Sequence, residues 1–112
     1  MLYSELLKKN EDYRSVYDGG RSRADRYLVM YIRRNGLEIN RLGISVSKKV
    51  GNSVVRHRFK RLVKESYRLQ EAVFNSGLDI VIVARKEAHL LTFDQTNKSL
   101  LRLGRLHGII KE

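Results

Sequence analysis

Residues 78–84, Leu-Asp-Ile-Val-Ile-Val-Ala, constrain the fold more than any other segment. A nearly unbroken apolar run, rich in β-branched residues and preceded by Gly77, is expected to form a buried strand ending at Ala84. Such a strand needs neighbouring strands and amphipathic helices to cover it. The chain has no cysteine, so neither a disulfide framework nor a thiolate zinc site can replace a core. Its 112 residues suffice for one domain, taken as 1–112, and their 42% apolar content argues against disorder.

The covering elements can be placed in order. Asn10 is expected to cap a short helix with Glu11 and Asp12 in its first turn, ended by Gly19 and Gly20. Tyr27 to Arg33 alternates like a strand, and Asn35-Gly36 marks a turn. Arg41 to Ser47 alternates again, with Leu42, Ile44 and Val46 on one face and Gly43, Ser45 and Ser47 on the other. Asn52 or Ser53 caps a long helix to about Leu69. Thr92 and Gln95 form a capping box for a last helix, whose Phe93, Leu100 and Leu103 share a stripe. A further short strand is possible near Ser22 to Ala24. The expected order is α-β-β-(β)-α-β-α: an α+β fold with a small mixed sheet packed against helices as a two-layer sandwich. No apolar run approaches the roughly 20 residues of a membrane helix, and "MLYSELLKKNEDYR" lacks a signal-peptide layout. A soluble cytoplasmic protein is expected.

Charge narrows the function. The chain holds 23 Lys and Arg against 12 Asp and Glu, for a net charge of +11. Between Arg41 and Arg68, nine bases face one acid, Glu65, so this stretch carries +8 of the +11. Such clustering points to a polyanion, nucleic acid before an anionic membrane. On a helical wheel, Val55, Phe59, Leu62, Val63, Ser66 and Leu69 fall on a core arc. Arg56, His57, Lys60, Arg61, Lys64 and Arg68 fall on the opposite arc, with Tyr67 among them, while Glu65 lies at the rim near Arg58. Few acids interleave to relieve the repulsion. Lys48, Lys49 and Gly51 precede the first turn, where free N–H groups favour phosphate.

Beside this helix, Tyr13 and Tyr17 share one face of the first helix, and Tyr27 and Tyr31 one face of a strand. With Gly43, Ser45 and Ser47, they would form a shallow trough walled by tyrosines, suited to an unpaired strand; the alternative, favoured for Tyr27, is half-buried core residues with their hydroxyls at the rim. Chemistry of the chain's own is not evident. His57, His89 and His107 are scattered, with His89 and His107 expected at the surface. Glu65, Asp79 and Asp94 form no carboxylate pair and read as rim, strand-edge and first-turn acids. No Ser-His-Asp setting or phosphate-binding P-loop is present.

The stretch "RLGISVSKKVGNSVVRHRFKRLVKESYR" closely resembles the signature of the bacterial ribonuclease P protein family, G-x-S-x-S-K-K, G-N-A-V and R-N-R-x-x-K-R with a following R-E. "NEDYRSVYDGG" and "DIVIVARKEA" resemble the family's first helix and last strand. Ser53, His57 and Lys64 stand where the family has Ala, Asn and Arg. The resemblance implies a left-handed β-α-β crossover and a protein subunit that helps remove 5′ leaders from precursor tRNA, while a catalytic RNA supplies the chemistry with Mg²⁺ held mainly by RNA and substrate. No small-molecule substrate or membrane partner is implied. It assigns Lys48, Lys49, Asn52, Arg56, His57, Arg58, Lys60, Arg61, Lys64 and Arg68 to the catalytic RNA. Tyr13, Tyr17, Tyr31, Ser45, Lys48 and Lys49, with Arg85 and Lys86, go to the leader. A ribosomal or RNA-chaperone protein would fit the charge equally but not the ordered signature. A self-sufficient nuclease lacks its carboxylates, and a helix-turn-helix reader would place a helix, not a strand, before the basic helix.

Overall fold

The computed structural model describes residues 4–111. The elements are β1 (Ser4–Leu6), α1 (Asn10–Gly19), β2 (Arg21–Ala24), β3 (Leu28–Arg34), β4 (Asn40–Ser45), α2 (Ser53–Gln70), β5 (Leu78–Ala84) and α3 (Phe93–His107). Short 3₁₀ turns, Glu71–Val73 and Lys86–Leu90, flank β5. The apolar run is strand β5, at the centre of a five-stranded sheet in the order β1-β4-β5-β3-β2. It runs parallel to β4 and antiparallel to β3. This is the α+β arrangement expected. The strand near Ser22 is β2, and β1, a three-residue parallel partner of β4, adds a further edge to the expected sheet.

The two faces of β5 divide the molecule. Ile80 and Ile82, with Leu28, Met30, Ile32 and Leu42, bury against Phe59, Val63 and Tyr67 of α2 and Leu100 and Leu103 of α3. On the other face Val81 joins Leu7 and Val16 beneath α1, with Tyr13, Tyr31 and Val83 packed around them. β4, α2 and β5 together form the parallel β-α-β unit to which the expected crossover belongs.

Several local expectations need correction. Lys9, not Asn10, stands at the N-cap of α1, and it makes no side-chain cap bond. Asn52 caps α2 by accepting the Val55 N–H, and the Thr92–Gln95 capping box is formed on α3. Asn35-Gly36 does turn the chain, with Gly36 at φ 72, but the strands on either side of it do not pair because β5 lies between them. Leu69 is 56% exposed, whereas Tyr67 is buried. The helix is rotated so that Tyr67 follows Phe59 and Val63 into the core. There its ring meets Phe74, and its hydroxyl bonds Ser4 Oγ and the Asn40 side-chain amide. A tyrosine ring can join an apolar arc when its hydroxyl finds partners.

Two groups expected at the periphery are interior. Asp79 is buried, accepting both guanidinium bonds of Arg41 (2.8 and 2.7 Å) and one from the Asn35 amide (3.0 Å). Arg41 and Asp79 are register partners on β4 and β5. His107 is buried at the end of α3, with Nε2 donating to the Met30 carbonyl at 2.8 Å. Burial lowers the His107 pKa below its ordinary value; the Met30 bond opposes this, and the charges of Arg21 and Arg23 add to it.

Arg41→Ala strands a buried carboxylate and should cost about 1–3 kcal/mol. The loss would appear as a lower urea midpoint, with a smaller loss for Asp79→Asn. The depressed folded pKa of His107 sets a pH dependence of known sign. Its contribution is full above the unfolded pKa and declines as pH falls below it, because the unfolded chain then binds the proton more readily. Urea midpoints at pH 7.5 and 5.5 should differ more for the native chain than for His107→Gln.

Candidate nucleic-acid interface

α2 begins where β4 ends, so its first turn stands at the carboxyl edge of the parallel pair. Lys48 and Lys49 lie in the intervening turn, closed by a Val50 N–H to Ser47 carbonyl bond, and both are exposed. Gly51 is required here, since a Cβ on it would come within 2.6 Å of the Val55 side chain. The Asn52 side-chain oxygen is already engaged as the cap. Because α2 buries Phe59, Val63, Ser66 and Tyr67, His57, Lys60, Arg61 and Lys64 turn outward.

The basic residues then separate into two groups. Lys48, Lys49, Lys60, Arg61, Lys64 and Lys86 have no side-chain partner among the described residues, so their charges are uncommitted, and the His57 ring is likewise unbonded. The others are engaged. Arg58 donates to the Leu91 carbonyl at 2.7 Å, tying α2 to the segment before α3. Arg68 forms a two-bond pair with Glu65, including Nε to Oε2 at 3.0 Å. Glu65 therefore serves Arg68 rather than Arg58, and its carboxyl pKa is lowered by that bond. Arg56 leans on the Asn52 carbonyl at 3.4 Å. Arg85 donates to the Asp25 carbonyl at 2.7 Å, while Lys86 projects freely after β5.

The tyrosines gather on the opposite face of the sheet. Tyr17 and Tyr31 meet edge-on with ring centres 5.0 Å apart. Tyr17 is 38% exposed, and Ser45 lies beside its hydroxyl. Burial raises the Tyr17 pKa, partly offset by the Ser45 bond, so the phenol stays neutral at physiological pH. Tyr13 is more committed. Its ring fills the space over Gly43, where a Cβ would come within 2.8 Å, and its hydroxyl accepts the Ile44 N–H at 3.2 Å. That amide lies past the end of β1, where β4 has lost its edge partner. The expected trough is therefore closed at Gly43 and open from Ser45 towards Lys48. Tyr27 packs against the main core and lies beneath the Arg26 guanidinium, away from this groove.

Phe93, expected in the α3 core stripe, is 38% exposed. It shares a hollow of about 660 Å³ with Val54, His57, Arg61 and Lys64. Its position in the first turn, directly after the cap, was the available signal, because nothing N-terminal on that helix covers it. Among the described residues no three His, Asp or Glu side chains converge as metal ligands. None of the described helices is long and apolar enough to cross a membrane.

A family model described as Ribonuclease P matches residues 1–106. The chain belongs to the ribonuclease P protein family. It is 56% identical over 107 residues to the Ribonuclease P protein component of Lachnoclostridium phytofermentans, covering 96% of this chain and 92% of that protein. It is 54% identical over 110 residues to that of Alkaliphilus metalliredigens, covering 98% and 99%. Among solved structures, the Staphylococcus aureus RNase P protein superposes with a TM-score of 0.87 at 34% identity, covering 95% of this chain and 97% of that one. The Thermotoga maritima protein gives 0.82 at 32% identity, over 89% and 96%. The family's protein component is part of an enzyme complex that processes tRNA, and the ribosomal and chaperone alternatives are set aside.

The division into free and engaged cations makes a prediction. Arg61→Ala and Lys64→Ala should each reduce the log-log salt dependence of binding to ribonuclease P RNA by about one charge. Arg68→Ala should change it less, because Glu65 already shares that charge. Equal slopes for all three variants and the parent would exclude this face as the contact.

Proposed function

We propose that α2 docks on the catalytic RNA of ribonuclease P while the Tyr17–Tyr31 groove holds the 5′ leader of precursor tRNA. The observation that carries this reading is the pair of surfaces reached from one turn. Lys48 and Lys49 stand between the uncommitted cations of α2 and the open end of the groove. A leader leaving the cleavage site could lay a base against the exposed Tyr17 edge and pass its phosphates to Lys48, Lys49 and Lys86. Neutral Tyr17 and Ser45 hydroxyls present no negative charge to those phosphates.

The reaction is hydrolysis of one phosphodiester bond, giving the mature tRNA 5′ end. Mg²⁺ held mainly by the RNA and the substrate phosphates would supply the charge stabilisation. The chain's own residues grip and orient. Arg58 and Asn52 hold α2 in place, while Lys60, Arg61 and Lys64 offset RNA charge. The work takes place in the cytoplasm.

Reconstitution with a bacterial ribonuclease P RNA at low Mg²⁺ tests the assignment: the protein should restore leader removal that the RNA alone performs poorly. Tyr17→Ala should weaken binding of precursor tRNA by about 1–3 kcal/mol and leave mature tRNA nearly unchanged. Equal losses on both substrates would remove the leader from this groove.

A further inference from the structure

Arg21, Arg33 and Arg34 border a hollow of about 860 Å³ that belongs to neither surface described above. It lies where β5 begins and β3 ends, at the opposite edge of the sheet from Lys48 and Lys49. The 18 residues of α2 span the molecule between these edges, a length of about 27 Å. That exceeds the Debye length of roughly 8 Å at physiological salt, so the cations at the start of α2 barely act there.

The three guanidiniums are exposed and have no carboxylate partner among the described residues. Elsewhere Arg26, Arg41, Arg68 and Arg102 each hold an acid. Asp18 and Glu38 flank the hollow in sequence, yet neither pairs with it. Its walls include Gly36, Gly77 and Gly108, all at positive φ (72, 82 and 73). These turns present backbone without side chains, which lets a ribose-phosphate chain approach closely. Planar guanidinium forks suit phosphate oxygens.

We propose that this hollow is a second RNA-backbone site, holding phosphodiester groups independently of α2. It rests on the reading above only for the polyanion being RNA. With two phosphate-binding edges about a helix length apart, one small protein can bridge separate RNA segments. The phosphates could come from the catalytic RNA or from precursor tRNA.

The test compares Arg21→Ala/Arg33→Ala/Arg34→Ala with Lys8→Ala/Lys9→Ala/Arg14→Ala, which removes equal charge from other exposed residues that have no carboxylate partner among the described residues. Binding is measured from 50 to 400 mM salt, first to ribonuclease P RNA alone and then to precursor tRNA by the reconstituted complex. The hollow variant should lower the salt slope by about two to three in one of these arms, which names the source, and the control by much less. Equal slopes for the two variants overturn the second site while leaving α2 intact. Failure of the parent chain to bind RNA at all would instead overturn the proposed function. His107 supplies a local probe. It lines the hollow, and burial first, then the charges of Arg21 and Arg23, hold its pKa down against the Met30 bond, while Arg105 lies on its own helix turn. Inorganic pyrophosphate added to the intact protein should raise the His107 pKa seen by NMR, and not in the triple hollow variant. A His107 titration indifferent to pyrophosphate overturns the site.

Discussion

The parallel pairing of β4 with β5 supports every other feature. Its register is held by a charged clasp, Arg41 across to Asp79 with Asn35 bonded to the same carboxylate. A second clasp lies beside it. Asn40 donates to Tyr67 and to the Asn75 carbonyl while its oxygen takes the Leu78 N–H. A one-residue slip would exchange the faces, sending Ile80 and Ile82 towards α1 and Val81 towards α2. Buried polar groups satisfied this fully disfavour such a slip, because any other register would leave them unpaired. With that register set, α2 must leave β4 at the edge where Lys48 and Lys49 stand, and the tyrosines must lie on the reverse face.

Charge in this molecule is sorted by geometry rather than by residue type. Arg41 is a structural cation, Arg58 ties α2 to a backbone carbonyl, and Arg68 is shared with Glu65. Lys60, Arg61 and Lys64 remain for a partner. The free group lies outside the buried arc of Phe59, Val63 and Tyr67, and no carboxylate among the described residues pairs with it, so its repulsion is left for an outside polyanion to offset. The same sorting leaves Arg21, Arg33 and Arg34 uncommitted at the far edge. Two surfaces with unspent positive charge, on a chain whose family works in tRNA processing, are what the proposed docking rests on.

The tyrosines show a parallel division. Tyr67 is core, held at its hydroxyl by Ser4 and Asn40, and Tyr13 closes the sheet over Gly43. Tyr17 keeps an open edge beside Tyr31 and Ser45. The last arrangement leaves an exposed aromatic edge, with Lys48 and Lys49 three and four residues beyond Ser45 along the chain. An exposed ring flanked by hydroxyls and cations offers stacking to a base and charge to its phosphate, without a pocket specific to one nucleotide.

Much of this was legible in the chain itself. The apolar run 78–84 required a covered central strand, the capping residues Asn52 and Thr92 set two helix starts, and the density of Lys and Arg from 41 to 68 pointed to an anion. These depend on local periodicity and composition, which a linear sequence carries. The signature around Arg56 to Arg61 pointed to the family that the comparisons bear out. What the sequence could not settle was which side chains find partners far along the chain. Asp79 looked like an edge acid until Arg41 and Asn35 met it. Tyr67 sat among the cations of the wheel until Phe74, Ser4 and Asn40 received it, and His107 seemed a surface residue until the Met30 carbonyl turned towards it. The hydrogen-bonded pairings among these span 27 to 77 residues. Tertiary packing alone decides them, because burial rewards a polar group only when a partner arrives from elsewhere in the fold.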